Sequence, residues 1–427
     1  MIDFTLSETQ AGVRDAARAF ATNVLSGARA TYEEYSDYHK RFQSTRPIYR
    51  EAVKSGLIKA QIPTALGGAG GSLVEAAILV EELYSVEPSV SLTILGTGLG
   101  LSPLIAGGSE EQRRKFLEPF LSGEGEPMAS LVHSEPGGTA NWLEKGGKGL
   151  QTTARKDGED WIINGEKMWA TNSAGWDDLG PDLQCVVCRN DSPDSIDSDP
   201  RKSILILLVT RSVIASNDSS AFQVLKHVET AGHTAVTGPQ IRYTNFRVPR
   251  TNLLAAPGTN IGAELVETSF SASAALVGAM AVGIMRASFD AALTFSKIET
   301  RGGDVPILQR QSVADLLMDI KMRTEASRYL VWKALHCLHE GPGDHKHRLE
   351  YALEAKIFCS ENAVKSVFDA MKAVGVTSYS LDQPFSRLMN DALVLPIFDG
   401  GNVGIRRRQL EKIFMAEDYQ PWAASLG

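Results

Sequence analysis

The sequence predicts an α+β protein with a helical N-terminal region, a middle region of β-strands and a helical C-terminal region. Apolar residues recur with helical spacing over about the first 120 residues, and this spacing returns after about residue 262. Short β-rich runs fill the stretch between them. Because strands and helices do not alternate, a doubly wound parallel sheet is disfavoured. We therefore expect domains at 1–125, 126–255 and 256–427.

Three helix starts indicate that the N-terminal domain is helical. Residues 7–10 and 109–112 each match a capping box, and apolar residues on one face follow both. Pro47 suits the first turn of another helix, and Gly56 is its stop signal. These starts predict separate helices joined by short connections.

The middle domain is predicted from short apolar runs at 161–163, 185–188, 204–209 and 222–225. Asp-Gly, Asn-Gly and Gly-Pro pairs, which favour turns, separate several of these runs. The acidic stretch at 191–199 does not have the spacing of a calcium-binding loop, and we expect a solvated surface insertion there.

The C-terminal domain is predicted to contain long helices. Residues 264–295 are rich in small residues at helical spacing, and 311–338 and 348–371 are amphipathic. The apolar run at 271–285 is shorter than the roughly 20 residues that a bilayer crossing needs. We therefore expect no membrane association.

Composition limits the function classes. Lys and Arg total 43 against 51 Asp and Glu, so the net charge is −8, which disfavours a nucleic-acid binder. Four cysteines and the absence of a recognised signal pattern favour a reducing, cytoplasmic location. Cys185 and Cys188 have no second ligand pair at metal spacing, so we expect no metal site.

Three segments carry residues suited to chemistry. Residues 131–142 form a polar, glycine-containing loop after a strand-like run, and 164–173 place an aromatic ring two residues before a hydroxyl. Such segments can hold the edge and face of a planar cofactor, although an ordinary loop and hairpin also fit. In 396–408, Asp399 lies between an apolar run and three arginines, which suits a general base. A helix-capping Asp followed by solvated arginines is the alternative.

These segments together resemble the acyl-CoA dehydrogenase superfamily of FAD enzymes. The resemblance rests on Ser134-Glu135-Pro136-Gly137, Trp169-Ala170-Thr171-Asn172, Arg301 with Gln311 ten residues on, and Lys372-Ala373-Val374-Gly375. It extends over essentially the whole chain. It implies that the C-terminal domain is a four-helix bundle, that the protein is a homotetramer, and that a neighbouring subunit supplies Arg301 to the flavin pyrophosphate.

One departure indicates a particular branch of the superfamily. Asp399-Gly400-Gly401 stands where acyl-CoA dehydrogenases commonly carry Glu-Gly-Thr, and this resembles the branch that oxidises nitroalkanes. The resemblance implies that Asp399 is the base, with Arg406 and Ser273 holding its carboxylate. It also implies cofactor contacts from Leu131, His133, Ser134, Thr139, Asn141, Trp169, Thr171, Arg301, Gln311, Lys372, Gly375, Gly400 and Gly401. Leu395 stands where that branch is expected to have an aromatic residue.

The implied reaction begins with removal of the α-proton of a small nitroalkane. FAD supplies the oxidation, nitrite and an aldehyde or ketone are released, and O2 is reduced to hydrogen peroxide. Two other functions stay open at this point. One is an acyl-CoA dehydrogenase or related flavin oxidase that acts on another acidic C–H bond, and the other is a binding or assembly protein with a flavoenzyme fold.

Overall fold

The computed structural model describes residues 4–191, 199–341 and 345–422, and it has the predicted α+β architecture. The predicted acidic insertion at 191–199 lies mostly outside the described residues. The described helices of the N-terminal part are α1 (Glu8–Asn23), α2 (Ala28–Tyr32), α3 (Tyr38–Ser44), α4 (Arg46–Lys54), α5 (Leu73–Tyr84), α6 (Pro88–Gly107) and α7 (Glu110–Leu121).

Local signals fix several of these helix starts. Ser7 and Ser109 each accept a hydrogen bond from the backbone N–H three residues on, and both form complete capping boxes as predicted. Pro47 lies in the first turn of α4, and Gly56, with φ +80°, follows the end of that helix. The short-range sequence pattern therefore determines where these helices begin and end.

The middle part is one twisted sheet of eight strands, counted over the described residues. They are β1 (Ala129–Val132), β2 (Thr153–Asp157), β3 (Asp160–Lys167), β4 (Leu183–Asn190), β5 (Ile204–Val209), β6 (Phe222–Lys226), β7 (Gln240–Val248) and β8 (Leu253–Ala255). The strand order is β6-β7-β3-β2-β4-β5-β8, and β1 pairs in parallel with β4. A short helix, α8 (Arg211–Ser216), lies between β5 and β6.

The C-terminal part consists of packed helices. Its described helices are α9 (Ile261–Ile298), α10 (Gln311–Glu340), α11 (His345–Val374), α12 (Phe385–Leu393) and α13 (Arg407–Phe414). The three long helices pack along one another, and α12 packs on α9 and α11 to complete a four-helix bundle. Small buried residues of α9, such as Ala275 and Gly278, allow the close approach of its neighbours.

Two helices, α6 and α9, are long and apolar enough to cross a membrane by length and composition alone. In the structure 56% of the apolar window of α6 and 72% of that of α9 are buried within the protein. Their apolar character therefore serves the core, as expected of buried helices that are hydrophobic on most faces.

Close packing of α6 against the sheet places the candidate site. A Cβ atom at Gly100 would lie 2.3 Å from the backbone nitrogen of Ser130, and one at Gly96 would lie 2.8 Å from Cγ2 of Thr171. Glycine is therefore needed at both positions for the close contact of α6 with β1 and with the segment after β3. Where the three domains divide, at 125/126 and 255/256, remains a prediction.

Candidate active site

Asp399 lies on a sharp turn after α12. Its φ is +52°, and that of Gly400 is +72°, so two consecutive residues adopt the left-handed conformation. A Cβ at Gly400 would also lie 2.8 Å from Nε of Arg406, which makes glycine necessary there. The turn presents a carboxylate whose side chain is only 7% exposed.

Ser273 of α9 holds one oxygen of this carboxylate. Its Oγ donates a hydrogen bond of 2.8 Å to Oδ1 of Asp399 across 126 residues of sequence. The other oxygen, Oδ2, is buried and accepts no hydrogen bond from the described residues. Asp399 therefore has one oxygen fixed and one available to accept a proton.

Arg406 supports the same residue chiefly through the main chain. Its Nη2 and Nε donate to the carbonyl oxygen of Asp399 at 2.7 and 3.1 Å, whereas Nη2 lies 3.5 Å from Oδ2. Nη2 also donates to the carbonyl oxygen of Phe270 at 3.2 Å. Burial lowers the pKa of Arg406, and attraction to Asp399 opposes that effect. The guanidinium fixes the turn and places a positive charge beside the carboxylate.

Lys356 of α11, which the sequence analysis did not select, is fully buried beneath this turn. Its ammonium donates to the carbonyl oxygen of Leu395 and, at 3.1 Å, to Oδ1 of Asn402. Leu395 is itself fully buried in the helical core. The signal for Lys356 was available, because a lysine stands between Ala352 and Cys359 on the apolar face of an amphipathic helix.

The predicted middle-domain residues form a second surface of the site. Ser130 donates to the carbonyl oxygen of Thr171 at 2.7 Å, and the backbone N–H of Met168 donates to that of Ser134 at 3.0 Å. These bonds bring the end of β1, where Leu131 lies, next to the segment after β3. Trp169 has φ +70° and is 52% exposed, so its ring presents an open aromatic surface.

His133 is buried on this surface, and its Nε2 atom has no hydrogen-bond partner among the described residues. Burial, together with the nearby positive charge of Lys167, lowers the pKa of His133 to about 3, so the imidazole is neutral. Lys167 is itself buried, donates to the carbonyl oxygen of His133 at 2.8 Å, and pairs with Glu135 at 3.0 Å. This buried pair fixes the loop that carries His133.

Contacts across the domains join the two surfaces. The ring of Phe270, whose carbonyl binds Arg406, lies edge-on to His133 with centroids 5.8 Å apart. Asn141, also a predicted cofactor residue, accepts a bond of 2.6 Å from Nη1 of Arg408. Thr139 lies in the same loop, where its carbonyl accepts from the N–H of Trp142. The loop and the carboxylate turn therefore belong to one site.

The remaining predicted cofactor residues lie at or near the ends of the long helices α9, α10 and α11. Arg301, with φ +55°, donates to the carbonyl oxygen of Val374 and to Oγ1 of Thr377, beside Gly375 at the end of α11. Lys372 pairs with Asp369 one turn earlier, and Gln311 begins α10. Within the described part of the chain, no hydrogen bond or ion pair links this group to the Asp399 site. One subunit therefore does not join all the predicted residues through direct polar contacts.

Another cluster, outside this site, brings His39, Asp178 and His227 together with their ligand atoms within 4.8 Å of one another. The imidazole rings are stacked with centroids 3.7 Å apart and planes 25° from parallel. In-plane lone pairs on nearly parallel rings do not converge on one metal ion. Nε2 of His227 instead lies 3.2 Å from Oδ2 of Asp178, and Nε2 of His39 on α3 lies 3.8 Å from the same oxygen. The cluster is therefore a polar contact between α3 and loops of the middle part.

The fold of this chain is that of the acyl-CoA dehydrogenase class of proteins. Residues 7–124 match the model of the acyl-CoA dehydrogenase N-terminal domain, and residues 260–414 match that of the C-terminal domain. Butyryl-CoA dehydrogenase from Megasphaera elsdenii shares the fold, with a TM-score of 0.82 at 23% identity over 97% of this chain and 100% of that one.

Much higher similarity connects the chain to one branch of this class. It is 56% identical to nitroalkane oxidase of Podospora anserina over 100% of this chain and 99% of the relative. It is 54% identical to nitroalkane oxidase of Fusarium oxysporum, over 100% and 98%. An active-site mutant of nitroalkane oxidase crystallized with 1-nitrooctane superimposes with a TM-score of 0.97 at 54% identity over 100% of both chains. The chain belongs to the nitroalkane oxidase family.

Proposed function

We propose that this enzyme oxidises nitroalkanes to aldehydes or ketones with FAD as cofactor, releasing nitrite and reducing O2 to hydrogen peroxide. The single observation that carries the proposal is the state of Asp399. This carboxylate is buried, Ser273 holds one of its oxygens, and its other oxygen is free to accept a proton. That arrangement suits abstraction of a carbon-bound proton.

The residues of the middle domain fit a flavin. A planar ring system needs an apolar face and hydrogen-bonding groups at its edge. Trp169 offers an open ring, and the unpartnered Nε2 of His133 is a buried polar atom that a bound group can satisfy. We propose that Leu131, Ser134, Thr139, Asn141, Thr171, Gly400 and Gly401 contribute the other contacts of this chain. When bound, FAD supplies the chemistry of two-electron oxidation.

The role of the protein is to make proton removal fast. Oδ2 of Asp399 accepts the α-proton, and the electron pair of the broken C–H bond moves onto the nitro group to give the nitronate. Because the carboxylate is already oriented by Ser273 and the Arg406-supported turn, little reorganisation accompanies the transfer. For a primary nitroalkane, one O2 and one water are consumed for each aldehyde, nitrite and hydrogen peroxide formed.

An acyl-CoA dehydrogenase activity is the second candidate. The shared fold supports it, since the chain matches both domain models of that class. Asp399 disfavours it, because a side chain one methylene shorter than Glu holds the base further from a substrate placed as in those enzymes. The overall identity of 54–56% to nitroalkane oxidases also favours the first candidate.

We propose further that the enzyme is a homotetramer in which a neighbouring subunit completes the cofactor site. Among the described residues, Arg301, Gln311, Lys372 and Gly375 have no direct polar contact with the Asp399 site of their own chain. The adjacent segment exposes apolar side chains, with Val376, Tyr379 and Leu381 each at least 78% exposed. Exposed apolar groups in one segment are typical of a surface that another subunit covers.

A cytoplasmic location completes the proposal. All four cysteines are free and buried, which suits a reducing compartment. Burial also raises the pKa of Cys185 and Cys188 to about 12, so both thiols stay protonated and unreactive.

The function is tested with purified protein, nitroethane and air. We expect a visible flavin spectrum, and O2 uptake matched one to one by nitrite release. Butyryl-CoA serves as the comparison substrate under anaerobic conditions. Flavin bleaching by butyryl-CoA, without nitrite release from nitroethane, would transfer the assignment to the acyl-CoA candidate.

A further inference from the structure

Lys356 lies under the turn that carries the base, and its position has an electrostatic consequence. It is one of the largest fully buried side chains in the described structure. Burying an ammonium ion is costly unless hydrogen bonds and a negative charge compensate it. Most buried lysines are therefore found with a specific partner, and the surroundings of Lys356 identify which one.

The hydrogen bonds of Lys356 hold both ends of one segment. Its Nζ donates to the carbonyl oxygen of Leu395 and to the side chain of Asn402, and Asp399 lies between these two residues. Asn402 in turn donates to Ser360 at 3.0 Å and to Glu361 at 3.2 Å on α11. The residues that flank the base are thus anchored to α11, and Lys356 is the one side chain that binds on both sides of Asp399.

Charges around Lys356 are distributed unevenly. Burial lowers its pKa to about 8, Asp399 and Glu361 pull the pKa up, and Arg406 pulls it down. Glu361 is exposed and already paired with Arg407 at 2.8 Å. Asp399 is the buried carboxylate among these charges, and it lies on the segment that Lys356 binds.

We propose that Lys356 is a positioning residue for proton abstraction, which clamps the 395–402 segment and so holds the carboxylate of Asp399 in place. This inference rests on the proposed function. Ser273 binds this carboxylate from α9, and Arg406 binds the turn from the residue before α13. Lys356 is therefore a third support, and it approaches from α11.

Two substitutions separate the charge of Lys356 from its hydrogen bonds. Lys356→Met removes both, whereas Lys356→Gln keeps a donor without charge. Lys365→Met is the matched control, because Lys365 is an exposed lysine of the same helix. Each variant is assayed for kcat/KM with neutral nitroethane, and for flavin reduction by preformed nitronate, which has already lost its α-proton.

We expect kcat/KM with neutral nitroethane to fall about tenfold in both Lys356 variants, because a misplaced base slows proton removal. The nitronate rate should stay within about twofold of the wild type. Lys365→Met should match the wild type with both substrates. Such a result would mean that Lys356 affects proton removal by Asp399 and not the site as a whole.

Three results would overturn the inference: a wild-type kcat/KM with nitroethane, equal losses with nitroethane and nitronate, or loss of FAD from both variants. The last two describe a merely structural lysine. Failure of the proposed function is recognised separately, because the wild type and Lys365→Met would then release no nitrite from nitroethane.

Discussion

Oγ of Ser273 lies 2.8 Å from Oδ1 of Asp399, and it joins the middle of the long helix α9 to a turn 126 residues later. This bond selects which carboxylate oxygen remains free. Since Oδ1 is occupied, Oδ2 is left as the proton acceptor, and the orientation of the base is fixed before substrate binds.

Ser273→Ala is expected to lower kcat/KM for neutral nitroethane about tenfold, the loss that follows from about 1.4 kcal/mol of charge-assisted hydrogen bonding. Ser271→Ala is the control, since that hydroxyl of α9 bonds only the carbonyl of Glu267 among the described residues. Unchanged kinetics in Ser273→Ala would remove this serine from the site.

Arg406→Lys is expected not to be conservative. One ammonium cannot reproduce the two N–H groups that bond the carbonyl of Asp399 together with the bond to Phe270. We expect a loss of about tenfold or more in kcat/KM with nitroethane. Arg407→Lys, at an exposed position paired with Glu361, should leave the steady-state kinetics unchanged. Similar kinetics in the two variants would contradict this role for Arg406.

The free energy of unfolding is expected to depend on pH, because His133 is buried as a neutral imidazole. Its pKa is about 3 in the folded protein and about 6.5 in an unfolded chain, so only the unfolded state binds a proton between these values. The free energy of unfolding therefore decreases as pH falls below about 6.5, and the loss due to His133 is about 2 kcal/mol at pH 5.

Unfolding measurements at pH 7 and pH 5 test this claim, with FAD in excess. The wild type should lose about 2 kcal/mol more than His133→Gln over this interval. His336→Gln, at an exposed histidine of α10, should lose as much as the wild type. Parallel losses in all three proteins would mean that His133 is protonated in the folded state.

Local and distant features differ in how well the sequence predicts them. The capping boxes at Ser7 and Ser109 depend on residues three positions apart, so their pattern is sufficient. The order β6-β7-β3-β2-β4-β5-β8 depends on pairing between distant segments, and apolar runs alone do not define it. The sequence therefore predicts the elements better than their arrangement.

The candidate site shows the same division. Asp399 can be identified from its neighbours in sequence, because it is an acid between apolar residues and arginines. Ser273 is predicted only through the family resemblance. Arg406 was expected to act on the carboxylate, whereas its shortest bonds are to the Asp399 carbonyl, and these depend on the left-handed turn at Gly400. The position of Lys356 on an apolar helix face indicates that it is buried, but its partners, 39 and 46 residues away, do not follow from that pattern.

The most direct test of the account is Asp399→Asn. An amide cannot accept the α-proton, so oxidation of neutral nitroethane should fall by at least about a hundredfold, within the range of a lost general base. Flavin reduction by preformed nitronate should continue at a rate close to that of the wild type, with the flavin spectrum retained. If the variant released nitrite from neutral nitroethane at the wild-type rate, Asp399 would not be the base, and the central claim would be wrong.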